Sequence, residues 1–132
     1  MKKIFRILVI VSISIYLIWF FLPHFWELLH TPEEVNLLNY NGYGESFNSL
    51  PLINTMAILY VISAVGLFIF NRWARTLFLV LTAFGIAVGP FMGWSVQTGF
   101  ETSINQLAIL CDGAVIFMAY FSSVRDEFSD PT

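Results

Sequence analysis

Apolar residues fall into four long runs along the chain, separated by shorter polar stretches. The runs cover about residues 4–22, 51–70, 75–97 and 104–123. Each has close to the ~20 residues that a helix needs to cross ~30 Å of hydrocarbon. Four strands could not close a barrel, and their open edges would leave backbone groups unpaired in lipid. The pattern therefore predicts an all-α integral membrane four-helix bundle, with residues 1–132 forming a single domain.

The longest polar connection, residues 23–50, is predicted to contain a short interfacial helix. Thr31 suits its N-cap, Pro32 its first helical position, and Glu34 the reciprocal partner in a capping box. Val35 and Leu38, which follow Glu34, share one face of this helix. This predicts a helix that lies on the outer surface of the membrane.

The other connections are short. The stretch "NRWAR", residues 71–75, predicts a tight turn between antiparallel second and third spans. Ser103 followed by Gln106 is typical of a capping box, which predicts the start of the fourth span. Residues 124–132 are predicted to form a short, polar and mobile tail.

The distribution of charge predicts the orientation. One side of the membrane would carry every basic residue, and the other only acidic loops, so the positive-inside rule places both termini in the cytoplasm of a bacterial inner membrane. The basic residues are Lys2, Lys3, Arg6, Arg72, Arg75 and Arg125, and the acidic residues opposite them are Glu27, Glu33, Glu34, Glu45 and Glu101.

Composition narrows the possible surroundings and partners. The hydrophobic fraction is 58% and the charged fraction 11%, against roughly 45–50% and about 25% in soluble domains, so the lipid bilayer is the expected environment. No basic patch is present that would neutralise phosphates, which excludes nucleic acid as a partner. The single cysteine, Cys111, lacks the second thiol that disulfide chemistry requires.

Asp112 is the unusual residue of the fourth run, because its neighbours are apolar or small. A charged Asp near mid-membrane costs ~2.5–3.5 kcal/mol on the insertion scale, so we expect a neutral, hydrogen-bonded carboxyl. Helical spacing and depth matching place other polar residues in its layer, together with a backbone carbonyl freed by Pro90. The predicted intramembrane polar site consists of Asp112, Tyr16, Tyr60, Ser14, Ser63 and Asn105.

Three interpretations of this site remain open. Its side chains could be a clasp that fixes helix register, since hydrogen bonds between spans contribute ~0.6–2 kcal/mol each. Asp112 could instead be a proton or cation site on a transport path, or it could pair with another subunit.

The third run carries a stripe of small residues. Gly85, Gly89 and Gly93 recur every four positions, a spacing that lets another helix approach closely. Pro90 is predicted to kink this span. The stripe could pack against the chain's own spans, or it could contact a second copy or a different membrane protein.

A third candidate site is the stretch "HFWELLH", at the outer end of the first span. His24, Glu27 and His30 are three residues apart and could share one side of a helix, which would permit a metal or a pH-sensitive cluster. The ordinary alternative is a set of solvated interfacial side chains. We expect no metal and no other cofactor.

Enzyme function is not expected, because the sequence has no phosphate-binding glycine loop, zinc signature or candidate nucleophile with its base. The prediction is a non-enzymatic accessory, scaffold or regulatory protein that acts by helix packing against a membrane protein or a second copy of itself. The alternative is a small oligomeric transporter coupled to protons or cations through Asp112. Small multidrug-resistance exporters are similar in length and span number, but they carry their essential Glu in the first span, which has no acid here.

The stretches "NRWAR" and "DGAVIFMAYFS" are the most distinctive parts of the chain. In them, and in its four-span layout, the chain resembles small inner-membrane proteins of bacteria that have no assigned activity. The resemblance implies the fold and the location, and it transfers no site residue.

Overall fold

The computed structural model describes residues 1–39, 50–91 and 95–128. Within these ranges the chain forms helices α1 (Lys2–Phe21), α2 (Trp26–Leu29), α3 (Pro32–Leu38), α4 (Leu50–Phe68), α5 (Arg72–Val88) and α6 (Gly99–Phe121). Turns of 3-10 helix follow α1, α5 and α6 at Leu22–Phe25, Gly89–Phe91 and Ser123–Phe128.

Within the described ranges, four segments are long and apolar enough to cross a membrane, as the sequence predicted. They are Lys2–Leu29, Pro51–Phe68, Arg72–Phe91 and Gly99–Phe121. The four long helices form a bundle in which α1 packs against α4 and α6, and α5 also packs against α4 and α6. The chain is therefore a helical multi-pass membrane protein.

The third span is shorter than predicted. The α-helix ends at Val88 and a 3-10 turn covers Gly89–Phe91, and residues 95–97 are not helical, whereas the hydrophobic pattern extended the span to residue 97. Proline has no N–H to donate and its ring clashes with the preceding turn. Pro90 therefore lies in the 3-10 turn that directly follows the α-helix.

The fourth span begins five residues earlier than the predicted residue 104. Thr98 is its N-cap: the Glu101 N–H donates to the Thr98 hydroxyl at 3.1 Å, and the Thr98 N–H donates to the Glu101 carboxylate at 2.8 Å. Ser103 lies inside the helix and donates to the Gly99 carbonyl at 2.8 Å. The predicted box at Ser103 and Gln106 is wrong, because a reciprocal pair one turn earlier satisfies the free N–H groups.

The connection after α1 contains the predicted short helix, α3. Thr31 and Glu34 form its capping box, with the Thr31 N–H donating to the Glu34 carboxylate at 2.8 Å. Leu38 is buried and Val35 half-buried, whereas Leu37 is exposed. The face predicted to lie on the membrane thus packs against protein.

The two ends of the bundle differ in charge. Lys2, Arg6 and Arg75 lie at one end, which we call the basic end, and Glu27 and Glu101 lie at the other, which we call the acidic end. At the acidic end, the buried Glu101 carboxylate also accepts a hydrogen bond from the Trp26 indole at 2.6 Å. This contact ties α2 to the first turn of α6.

At the basic end, α4 stops in a motif that normally uses glycine. The Asn71 N–H donates to the Gly66 carbonyl and the Phe70 N–H to the Leu67 carbonyl, while Phe70 has a φ of 59°. This is a Schellman motif with a bulky residue in the left-handed position, which costs roughly 1–2 kcal/mol. The Phe70 ring packs against other aromatic rings, and that packing offsets the cost.

Those rings belong to distant parts of the chain. Phe70 lies 5.7 Å from Phe5 and 5.5 Å from Phe128, measured between ring centroids. Phe5, Val124 and Phe128 are almost completely buried. Residues 123–128 therefore dock onto the bundle, and the prediction that they form a mobile tail is wrong because their apolar side chains complete this cluster.

Two arginines at the basic end interact with the last turns of neighbouring helices. The Arg6 side chain donates to the Phe68 carbonyl at the end of α4, and Arg75 donates to the Ala119 carbonyl near the end of α6, both at 3.3 Å. Arg75 also lies 4.5 Å from the centre of the Tyr120 ring. A cation beside the last carbonyls of a helix complements its dipole, so these contacts stabilise the antiparallel arrangement.

Helices α4 and α5 approach most closely where a glycine meets an alanine. A Cβ added to Gly66 would collide with the Cβ of Ala74. Only a residue without a side chain fits there, so Gly66 sets the distance between the two helices near the basic end.

Candidate functional site

The polar site is centred on Asp112, which is 7% exposed. Asp112 shares the inner face of α6 with Val115 and Ala119, which are also buried. Helical spacing of three and four residues places these side chains on one side. The prediction that Asp112 faces protein is confirmed by its burial.

Asp112 connects three helices. Its Oδ1 lies within hydrogen-bonding distance of the Ser12 hydroxyl oxygen of α1 and the Tyr60 hydroxyl oxygen of α4, each at 2.5 Å. The two hydroxyl oxygens are themselves 2.9 Å apart. Ser12, Tyr60 and Asp112, which we call the polar triangle, therefore form a fully buried network across α1, α4 and α6.

Aromatic rings surround the polar triangle. Tyr16 of α1 stacks on Tyr60 with ring centroids 4.1 Å apart, and Phe78 of α5 lies 5.1 Å from Tyr60. The Tyr60 ring thus lies between Tyr16 of α1 and Phe78 of α5. Rotation of Tyr60 would break both its hydrogen bonds and these ring contacts.

Two of the predicted site residues, Tyr16 and Tyr60, lie beside Asp112, and three others do not bond to it. Ser14 is exposed and donates to the Ile10 carbonyl of its own helix. Ser63 is buried but donates to the Tyr60 carbonyl. Asn105 is half-buried, two turns from Asp112 along α6.

Ser12 is the site residue that the sequence prediction missed. Depth matching selected Ser14, but a two-residue difference along a helix turns the side chain to the far side. Phe5, Val9, Ser12 and Tyr16 follow one another at steps of four, three and four, and the first three are buried. That spacing is visible in the sequence and would have identified the inward-facing serine.

The predicted contribution of the third span to this site is also wrong. Gly89 and Pro90 are exposed, and Phe78 is the α5 residue that contacts Tyr60. The depth count started from residue 97, but residues 95–97 are not helical, so the matching layer lies closer to the basic end.

The glycine stripe of α5 is not used inside the described bundle. A Cβ added to Gly85 or Gly89 would meet nothing within 4 Å. Residues 83–87 are five consecutive exposed positions, so every side of the helix is open there. Among the described residues, none therefore packs against Gly85 or Gly89. Gly93 lies outside the described residues.

The histidine stretch is not assembled into a metal site. Among residues 1–39, 50–91 and 95–128, no three His, Cys, Asp or Glu side chains lie close enough together to hold a metal ion. His30 approaches Glu34 at 3.7 Å, and His24 packs near the Phe21 ring. Thus His24, Glu27 and His30 do not converge.

An open groove of about 480 Å³ runs along the outside of the bundle between α1 and α4. It is almost entirely apolar, and Asn54 is the polar residue among its walls. The polar triangle does not line this groove.

In comparisons with known proteins, no protein-family model, curated protein or solved structure matches this chain.

Proposed function

We propose that this protein is a non-enzymatic accessory, scaffold or regulatory protein that packs against another protein within the membrane. The observation that carries the proposal is the exposure of residues 83–87, in the half of α5 nearer the acidic end. Gly85 lies in that half and Gly89 directly follows it, both with open space above them. Small residues at this spacing allow the close helix approach on which association in lipid depends.

The polar triangle supports the same proposal because it can act as a structural clasp. It joins α1, α4 and α6 by hydrogen bonds within the buried interior. The basic end adds the arginine and aromatic contacts that hold α5 to α4 and α6. The bundle is thereby fixed without the exposed half of α5, which leaves that half free to contact a partner.

The distribution of charge supports an orientation with both termini in the cytoplasm of a bacterial inner membrane. Lys2, Arg6, Arg75 and Arg125 lie at one end of the bundle, and Glu27 and Glu101 lie at the other. A bias of basic residues toward one side is what the positive-inside rule requires.

The experiment is native mass spectrometry of the protein, extracted gently from its own membrane at its natural level. We expect a reproducible assembly with a second polypeptide or a second copy, and we expect Gly89→Leu to disrupt it by blocking close approach. Gly113→Leu is the matched control, because Gly113 on α6 also has nothing within 4 Å of an added Cβ. An assembly that survives Gly89→Leu, or that both variants abolish equally, contradicts the proposal.

Proton-coupled transport is the second candidate function. It is favoured by a buried carboxyl within a spanning helix that bonds to hydroxyls and, in the described part of the chain, to no basic side chain. If Asp112 couples transport, Asp112→Asn should abolish proton flux in liposomes and leave the helical content unchanged. Equal flux in the two forms would contradict it.

A further inference from the structure

The three oxygen atoms of the polar triangle are close enough together to determine how many protons the triangle needs. Ser12 Oγ, Tyr60 OH and Asp112 Oδ1 are separated by 2.5, 2.5 and 2.9 Å, so all three pairs lie within O–H···O bonding range. Each pair needs one proton between its oxygens. Three protons are therefore required to satisfy the whole triangle.

The ionised and neutral forms of Asp112 differ in whether they supply that number. With an ionised carboxylate, Ser12 and Tyr60 provide two protons, and both point at Oδ1. The hydroxyl oxygens then face each other at 2.9 Å with no proton between them. A neutral carboxylic acid supplies the third proton, and each oxygen then donates once and accepts once around a closed ring.

The groups that face the triangle do not offer a counter-charge. Tyr16 faces it from α1 and is uncharged at neutral pH, Phe78 faces it from α5, and Cys111 precedes Asp112 on α6. Among residues 1–39, 50–91 and 95–128, no Lys, Arg or His forms an ion pair with Asp112. A buried carboxyl without a cation is stabilised by retaining its proton.

We propose that Ser12, Tyr60 and Asp112 form a binding site for a single proton, which Asp112 holds at neutral pH in a closed ring of three O–H groups. This site goes beyond the accessory function, because it does not depend on any partner at α5. It is also distinct from transport, which would additionally require the proton to leave by a path to either side.

The test uses the small number of aspartates. The chain has three, Asp112, Asp126 and Asp130, so the variant carrying both Asp126→Asn and Asp130→Asn leaves one aspartate carboxyl. Protein labelled with ¹³C at the aspartate carboxyl is purified in a detergent without carbonyl groups, and its infrared spectrum is recorded at pH 7. We expect the labelled carbonyl band of a carboxylic acid. A labelled carboxylate band in its place overturns the proposal.

A second measurement tests the ring itself. Ser12→Ala removes one member and should shift the labelled acid band, whereas Ser14→Ala, an exposed change two residues away, should leave it in place. Ser12→Ala that does not move the band, or an equal shift in both variants, overturns the ring. A confirmed ring in a protein with no proton flux would retain the site and reject the transport candidate.

Discussion

At the basic end of the bundle, side chains distant in the sequence contact one another, whereas most polar contacts described at the acidic end join near neighbours. Phe5, Phe70 and Phe128 meet at the basic end across 123 positions of the chain. The acidic end is organised by capping boxes within three residues, at Thr31 and at Thr98. The contact between Trp26 and Glu101 is the described exception.

Helix α5 shows the same contrast within one element. Ala74 and Phe78, toward the basic end, are buried, whereas residues 83–87 are exposed on every side. The exposed half has more alanine and glycine, at Ala83, Gly85 and Ala87, than the half near the basic end, which has Ala74. Only the half near the basic end has a neighbouring helix that comes close enough to use them. Small residues permit close packing but do not cause it.

The largest expected effect is at the aromatic cluster of the basic end. Phe128 is 3% exposed, so Phe128→Ala should lower the free energy of unfolding by about 3–5 kcal/mol, the range for core Phe→Ala changes. Phe121→Ala is the control, because Phe121 is 76% exposed. Denaturant unfolding in micelles measures both. Similar small losses for the two variants would mean that residues 123–128 do not contribute to the bundle.

A medium effect is expected from adding one methyl group to a glycine. Gly66→Ala should destabilise the bundle by about 1–3 kcal/mol, because the new Cβ overlaps Ala74. Gly85→Ala should be neutral or stabilise by about 0.5–1 kcal/mol, since the site is open and alanine favours helix. Unfolding of the two variants in the same micelles compares them directly. A larger loss for Gly85→Ala would reverse the assignment of the tight and open halves of α5.

The smallest effect concerns a local cap. The pKa of Glu34 lies below its ordinary value of 4.5, because the Thr31 backbone N–H and then its hydroxyl donate to the carboxylate. A pKa lowered by folding means that the capping contribution is complete above the unfolded pKa and is lost as the pH falls through the folded value. We expect the Thr31 amide resonance to shift with acid below about pH 4.5, the ordinary pKa.

Glu34→Gln is the control for that shift. Glutamine keeps an acceptor for the Thr31 N–H but has no proton to gain. The Thr31 resonance of this variant should not respond over the same pH range. An unchanged response would assign the shift to a group other than Glu34.

Short motifs in the sequence predict local structure. The capping box at Thr31 is predictable because its two residues lie three positions apart. Thr98 and Glu101 have the same spacing, although the predicted box was at Ser103. Helix ends such as the one at Pro90 were placed less well, since hydropathy continues through a turn that remains apolar. Contacts such as Ser12 with Asp112, 100 residues apart, depend on which face each helix turns inward.

The sequence by itself determined the four membrane-crossing helices, because a chain this apolar must satisfy its backbone hydrogen bonds within each segment in lipid. It also determined that Asp112 faces protein, since exposing it to hydrocarbon is unfavourable. The tertiary structure alone decided which hydroxyls bond to Asp112 and which glycines lie at a helix contact. Those outcomes depend on the relative rotation and depth of helices, which are set by packing across the whole bundle rather than by any single segment.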